Sequence, residues 1–82
     1  MNGYYVYILE CSDKTLYTGW TSNLEKRIQE HNDGKNGAKY TRTRRPARLV
    51  YTETCSCLSE ALKREARIRK LSHWGKLELI KA

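Results

Sequence analysis

The chain has 82 residues, with 16 Lys and Arg against nine Asp and Glu, for a formal net charge of +7. That length suits one domain spanning 1–82, and such a domain buries only about 60–65% of the surface its unfolded chain exposes, which excludes a deep private cavity. No apolar run approaches the roughly 18 residues of a membrane span, the N-terminus has no signal-peptide pattern, and three cysteines without a CxxC pair suit neither a disulfide framework nor a zinc site. The expectation is a cytoplasmic protein with reduced thiols.

Tyr4 to Glu10 reads as a strand, rich in aromatic and β-branched residues and free of breakers. Ser12-Asp13-Lys14 is a turn, and Thr15 to Trp20 a second strand, so the pair predicts a hairpin. The period then changes. Ser22-Asn23-Leu24-Glu25 reads as a capping box, with Ser22 at the N-cap and Glu25 three residues on. A helix should follow to about His31 and stop at Asn32-Asp33-Gly34. Lys35 to Pro46 is polar, basic and aperiodic, and reads as a long loop. Arg48 to Thr54 predicts a third strand. Ser59 is placed to cap a helix to about Leu71, and Ser72 a last short helix with Trp74, Leu77 and Ile80 on one face. The order β-β-α-β-α-α predicts an α+β fold, a small antiparallel three-stranded sheet covered by helices.

Two polar positions break the apolar stripes of these helices. In the first, Leu24, Arg27 or Ile28, and His31 fall on the inward side. In the second, the stripe runs Leu58, Ala61, Leu62, position 65, Ile68 and then Leu71 or Ser72, and position 65 is Glu. The neighbouring Lys63, Arg64, Arg67, Arg69 and Lys70 are expected to point elsewhere. A buried carboxylate needs a charged partner or a metal. Glu65 is therefore either an ion-pair partner of Arg27 that fastens two helices, or a ligand for a hard divalent cation. His31, taken alone, suits a cation stabilised by the helix C-terminus. Six tyrosines and no phenylalanine point to a polar site beside the core.

Tyr5-Val6-Tyr7 followed by Tyr17-Thr18-Gly19, with the two motif tyrosines ten residues apart, resembles the paired signature of the GIY-YIG nuclease superfamily. Arg27 lies ten residues beyond Tyr17. Ala38-Lys39-Tyr40-Thr41 resembles a loop of the small stand-alone bacterial members, and Ala61-Leu62-Lys63-Arg64-Glu65 the helix that carries the metal-binding Glu. Position 5 is Tyr where the signature has Gly, and position 18 is Thr where it has Ile. Several relatives carry an Asn after the Glu. None follows Glu65 here, and His73 is either a stand-in or a surface residue.

The resemblance implies metal-dependent hydrolysis of DNA phosphodiester bonds, selective for DNA structure, in repair or recombination. Glu65 would hold one Mg²⁺ or Mn²⁺, and Arg27 would bind a phosphoryl oxygen. Tyr17 would be the general base or orient the water, with His31 as a proton acceptor, and Tyr7 would fix the cluster. Gly19 would let the backbone approach the phosphate, and Tyr40 could stack on a base. Lys39, Arg42, Arg44 and Arg45 in the loop, and Arg64 and Arg67 on the second helix, would track the backbone, as a pI near 9.5 suggests. RNA is not excluded as a substrate, a protein partner could supply targeting, and a monomer is expected. The alternatives are a non-catalytic nucleic-acid-binding module on the same fold, or a basic domain that docks an acidic protein.

Overall fold

A computed structural model describes residues 3–33 and 39–82. The expected stop at Gly34, the first part of the expected loop and Ala38 lie outside the described residues. Three strands, β1 (Tyr4–Glu10), β2 (Leu16–Thr21) and β3 (Arg48–Cys55), form an antiparallel sheet in the order β2-β1-β3. The β1–β2 turn is held by Asp13, whose Oδ1 accepts from the Thr15 amide at 3.1 Å and the Thr15 hydroxyl at 2.6 Å. Lys14 takes the left-handed backbone, with φ 71°, that lets so short a turn close. Cross-strand partners share a face, and this sorts the residues that matter. Tyr7 faces the same side as Gly19, and Leu9 the same side as Tyr17; Ile8 with Thr18 and Val6 with Trp20 face the other.

Each face has its own cover. On one, Leu24 and Ile28 of α1 (Leu24–Asp33) pack against Tyr7, Leu9 and Ala47. On the other, Ala61 and Ile68 of α3 (Leu58–Arg69) pack against Val6, Ile8 and Cys55, with Leu79 and Ile80 of α4 (His73–Lys81) alongside. Full burial of side chains such as Ile8, Leu9 and Ile68 contributes about 1.5–3 kcal/mol each. The chain is α+β, with helices on both faces of the sheet.

Several local expectations change. The helix-1 cap is Asn23, one residue later than Ser22: Asn23 Oδ1 accepts from the Lys26 amide at 3.2 Å, while Thr21 Oγ1 accepts from the Asn23 amide at 3.0 Å. The expected loop contains a single-turn helix, α2 (Lys39–Arg42), so the order is β-β-α-α-β-α-α. Its inward residue is Thr41, fully buried, which is why no apolar period announced it. Helix α3 is capped at Cys57 rather than Ser59, and Cys57 gives no side-chain cap bond; Glu60 accepts instead from the amide and hydroxyl of Ser56. Ser72 does cap α4, accepting from the Gly75 amide at 3.1 Å.

The α4 face differs most from expectation. Trp74 is 75% exposed, whereas Lys76 is 8% exposed. The inward residues are Lys76, Leu79 and Ile80, because helix α4 meets the sheet one position round from the face that its apolar residues suggest. In α3 the buried line is Ala61, Glu65 and Ile68, while Leu58, Leu62 and Leu71 are exposed. Cys55 is buried and Cys57 exposed, so the two do not face the same way; all three cysteines are free thiols.

Candidate active site

A cleft of about 470 Å³ opens at the β2 edge of the sheet, where the two helical layers meet. Six elements line it, and four of them supply Tyr7 from β1, Tyr17, Thr18 and Gly19 from β2, Arg27 from α1, and Glu65 with Arg69 from α3. Lys76 of α4 and Tyr40 of α2 complete the lining with Trp20, whose ring stands at the rim, 37% exposed. Three cations therefore face one carboxylate. The cleft is a net positive seat, suited to an anion with a cation beside it.

Tyr7 is the innermost group. Its ring is fully buried, and its hydroxyl lies 2.8 Å from His31 Nε2. The opposing strand residue is Gly19, and a Cβ there would stand 2.5 Å from the Tyr7 oxygen and 2.7 Å from Cζ. Gly19 thus makes room for a phenol across the strand, a requirement distinct from the close phosphate approach expected of it. Burial pushes the Tyr7 pKa up to about 12, against the pull of an Arg27 hydrogen bond, so this phenol keeps its proton at neutral pH.

His31 behaves differently from a cation at a helix end. It is fully buried, and burial, with Arg27 as the next cause, pushes its pKa down to about 4. The imidazole is neutral at pH 7. Its Nδ1 lies 2.7 Å from Thr41 Oγ1, so Tyr7, His31 and Thr41 form one buried chain of hydrogen bonds. One ring nitrogen donates and the other accepts. The end of α1 is served by Arg45, whose Nε donates to the His31 carbonyl at 2.7 Å. Because both ring nitrogens are engaged by Tyr7 and Thr41, His31 is not the direct proton acceptor of Tyr17. Its ring meets Tyr17 edge-on, with centroids 5.2 Å apart.

Tyr17 is half-buried, and its hydroxyl has no hydrogen-bond partner among the described residues. Its ring stacks on Tyr40 at 5.8 Å and 28°, and the Arg44 guanidinium lies 4.0 Å from the Tyr40 ring centre on the same column. Arg44 is also fixed by Asp13 at 3.0 Å and by the Tyr40 carbonyl at 2.8 Å. Arg27 donates to Glu30 at 3.0 Å and lies within hydrogen-bonding reach of Tyr7. Glu65 is 8% exposed, and its ion-pair partner is Arg69, one helical turn on at 3.4 Å. Of the two readings of Glu65, the fastening to Arg27 is not formed: Arg27 pairs within α1 and Glu65 within α3. Arg69 was expected to point elsewhere, although its i+4 spacing from Glu65 puts both on one side of the helix.

The carboxylate of Glu65 is a hard oxygen donor in a cleft open to water, and the buried Thr18 hydroxyl, on another residue lining that cleft, has no hydrogen-bond partner among the described residues. Those residues hold no cluster of three or more His, Cys, Asp or Glu side chains. A lone carboxylate fits Mg²⁺ or Mn²⁺, which take oxygen donors; Mg²⁺ in particular retains several waters.

The other expected residues divide. Lys39 and Arg42 are exposed on α2 beside the cleft. Arg64 and Arg67 line a separate groove of about 340 Å³ between β3 and α3 and do not line the cleft. Arg64 is held there by Glu53 through two bonds, at 2.7 and 2.8 Å. His73 is exposed and also stays out of the cleft; the α4 side chain that enters it is Lys76. Lys76, Thr18 and Trp20 were not anticipated. For Lys76 the available signal was its spacing from Leu79 and Ile80, i+3 and i+4, which a lysine obscures.

The model of the GIY-YIG catalytic domain matches residues 3–76. A UPF0213 protein of Syntrophus aciditrophicus is 67% identical over 81 residues, covering 99% of this chain and 93% of that one. A UPF0213 protein of Staphylococcus haemolyticus is 55% identical, with 98% and 96% covered. Among solved structures, the NMR structure of a UPF0213 protein from Bacillus halodurans is 46% identical with a TM-score of 0.61, covering 99% of this chain and 84% of that one. An E. faecalis protein, also solved by NMR, is 40% identical with a TM-score of 0.68, covering 99% and 85%.

Proposed function

The chain belongs to the GIY-YIG family, and we propose that it is a metal-dependent endonuclease that hydrolyses DNA phosphodiester bonds in the β2-edge cleft. One observation carries this reading. Tyr17, Arg27 and Glu65, brought by three different elements, line a single positively charged cleft. Packing alone does not require a phenol, a guanidinium and a buried carboxylate to converge on water-accessible space.

The chain's own groups divide the work. Arg27 binds a non-bridging phosphoryl oxygen, which suits a planar donor with a permanent charge, and Glu30 holds its guanidinium in place. Tyr17, whose hydroxyl has no partner among the described residues, orients the attacking water. Tyr7, committed to His31 and kept protonated by burial, sets the position of Arg27 and the floor of the cleft. Glu65 would hold one Mg²⁺ or Mn²⁺, which when bound neutralises charge on the phosphoryl and leaving oxygens. Trp20 offers an exposed ring at the rim, whereas the Tyr40 ring is stacked on Tyr17 and covered by Arg44; Lys39 and Arg42 add charge for the flanking backbone. The reading includes one catalytic domain over 1–82, acting in the cytoplasm as a monomer on DNA structures of repair or recombination. A partner protein could bring it to its substrate. No helix among the described residues is long and apolar enough to cross a membrane.

The test is cleavage of single-stranded, duplex, flapped and four-way branched DNA, with an RNA arm, in Mg²⁺ or Mn²⁺ at low salt. Cuts should disappear with EDTA, with Glu65→Ala and with Tyr17→Phe. Binding without cutting on every substrate would refute catalysis and leave a nucleic-acid-binding module.

A further inference from the structure

Of the three cations in the cleft, two are paired. Arg27 is bonded to Glu30 at 3.0 Å, and Arg69 to Glu65 at 3.4 Å. The Lys76 ammonium has no hydrogen bond or ion pair among the described residues, although the Glu65 carboxylate across the cleft favours its charge. It is nonetheless 8% exposed, its stem lying on the inward side of α4 beside Leu79 and Ile80. Burial next to Arg69 disfavours an ammonium, and a lysine at a core edge ordinarily reaches out to bulk solvent. Here the side chain is turned into the cleft that already holds Arg27 and Glu65.

Position matters as much as charge. Arg27 comes from the helix on one face of the sheet and Lys76 from the helix on the other, with edge strand β2 between them. An anion seated over β2 is therefore reached from both sides. Resting on the reading of the cleft as a phosphodiester site, we infer that Lys76 is a catalytic residue whose ammonium binds a substrate phosphate opposite Arg27. A buried charge without a partner destabilises the free protein, and the bound phosphate relieves it. Lys76 is thus a site where free-state stability and ligand affinity oppose one another.

The experiment uses the metal-free protein in EDTA and a fluorescein-labelled oligothymidine, read by fluorescence anisotropy across a salt series, beside a thermal melt. Lys76→Met keeps the stem and removes the charge; Lys76→Arg keeps the charge. Lys76→Met should bind about tenfold more weakly, with the slope of log affinity against log salt reduced by about one. Its melting temperature should equal or exceed that of the wild type, and Lys76→Arg should recover most of the affinity. Unchanged affinity and salt slope in Lys76→Met would overturn the inference. So would a lower melting temperature that Lys76→Arg does not correct, because Lys76 would then be a packing stem. Cleavage assays keep the two readings apart. A wild type that binds through Lys76 but never cuts refutes the nuclease alone; a wild type that cuts equally well as Lys76→Met refutes the role of Lys76 alone.

Discussion

Acid should weaken the fold through His31 before it reaches the paired carboxylates Glu10, Asp13 and Glu53. The imidazole is fully buried between Tyr7 and Thr41, and its pKa is pushed from 6.5 down to about 4. The unfolded chain therefore binds the His31 proton over a range in which the folded chain refuses it. Stability from this group is complete above the unfolded pKa and is lost as pH falls from 6.5 towards 4. With these two values, going from about pH 7.5 to about pH 5 removes about 2 kcal/mol. Glu10, Asp13 and Glu53 have pKa values lowered from 4.5, 3.8 and 4.5, so their losses come at lower pH and leave this window to His31. Urea denaturation at the two pH values measures the difference. His31→Gln should be less stable at neutral pH, because the chain to Tyr7 and Thr41 is disturbed, but nearly flat across the window. A wild type that is equally stable at both values, or a His31→Gln variant with the same slope, would refute the picture of a buried neutral imidazole.

Three further outcomes follow from the packing. Gly19→Ala places a methyl against the Tyr7 oxygen and Cζ, and a buried ring tied to His31 cannot retreat freely; the loss should be about 1–3 kcal/mol by urea denaturation, with cleavage impaired. Arg64→Met removes both bonds to Glu53, which also accepts from the Tyr51 hydroxyl, and should cost about 1 kcal/mol of stability while leaving oligonucleotide affinity within about threefold, because Arg64 lies outside the cleft. Trp74→Ala should change stability by less than about 0.5 kcal/mol, whereas Leu79→Ala should cost about 2 kcal/mol; the reverse ranking would mean that α4 presents its other face.

Much of this was legible from local pattern. The β1 strand and the turn at Asp13 follow from composition over a few residues, and the boundaries of β2, β3 and α3 fall within one or two positions of expectation. Glu65 stood out because a carboxylate interrupted a stripe of period 3.6, and the structure finds it buried on that stripe. Caps are less legible. Ser22 and Asn23 are both competent, and the choice of Asn23 rests on Thr21 receiving its amide. Helix α2 was invisible because one turn has no period and its buried residue is a threonine that serves His31.

The sequence by itself determined the three strands, the longer helices, and the interrupted stripes that single out Arg27 and Glu65, while resemblance to a family signature singled out Tyr7 and Tyr17. Stripes are properties of spacing along the chain, and spacing is local. Which faces meet was decided only in three dimensions. The strand order β2-β1-β3 leaves β2 at an edge, so that groups from opposite helical layers share one cleft. The same packing turned Lys76 inward and Trp74 outward, kept Arg64 and Arg67 away from the cleft, and made His31 a neutral link instead of a cation. Burial and charge pairing depend on neighbours distant in sequence, and no period along the chain records them.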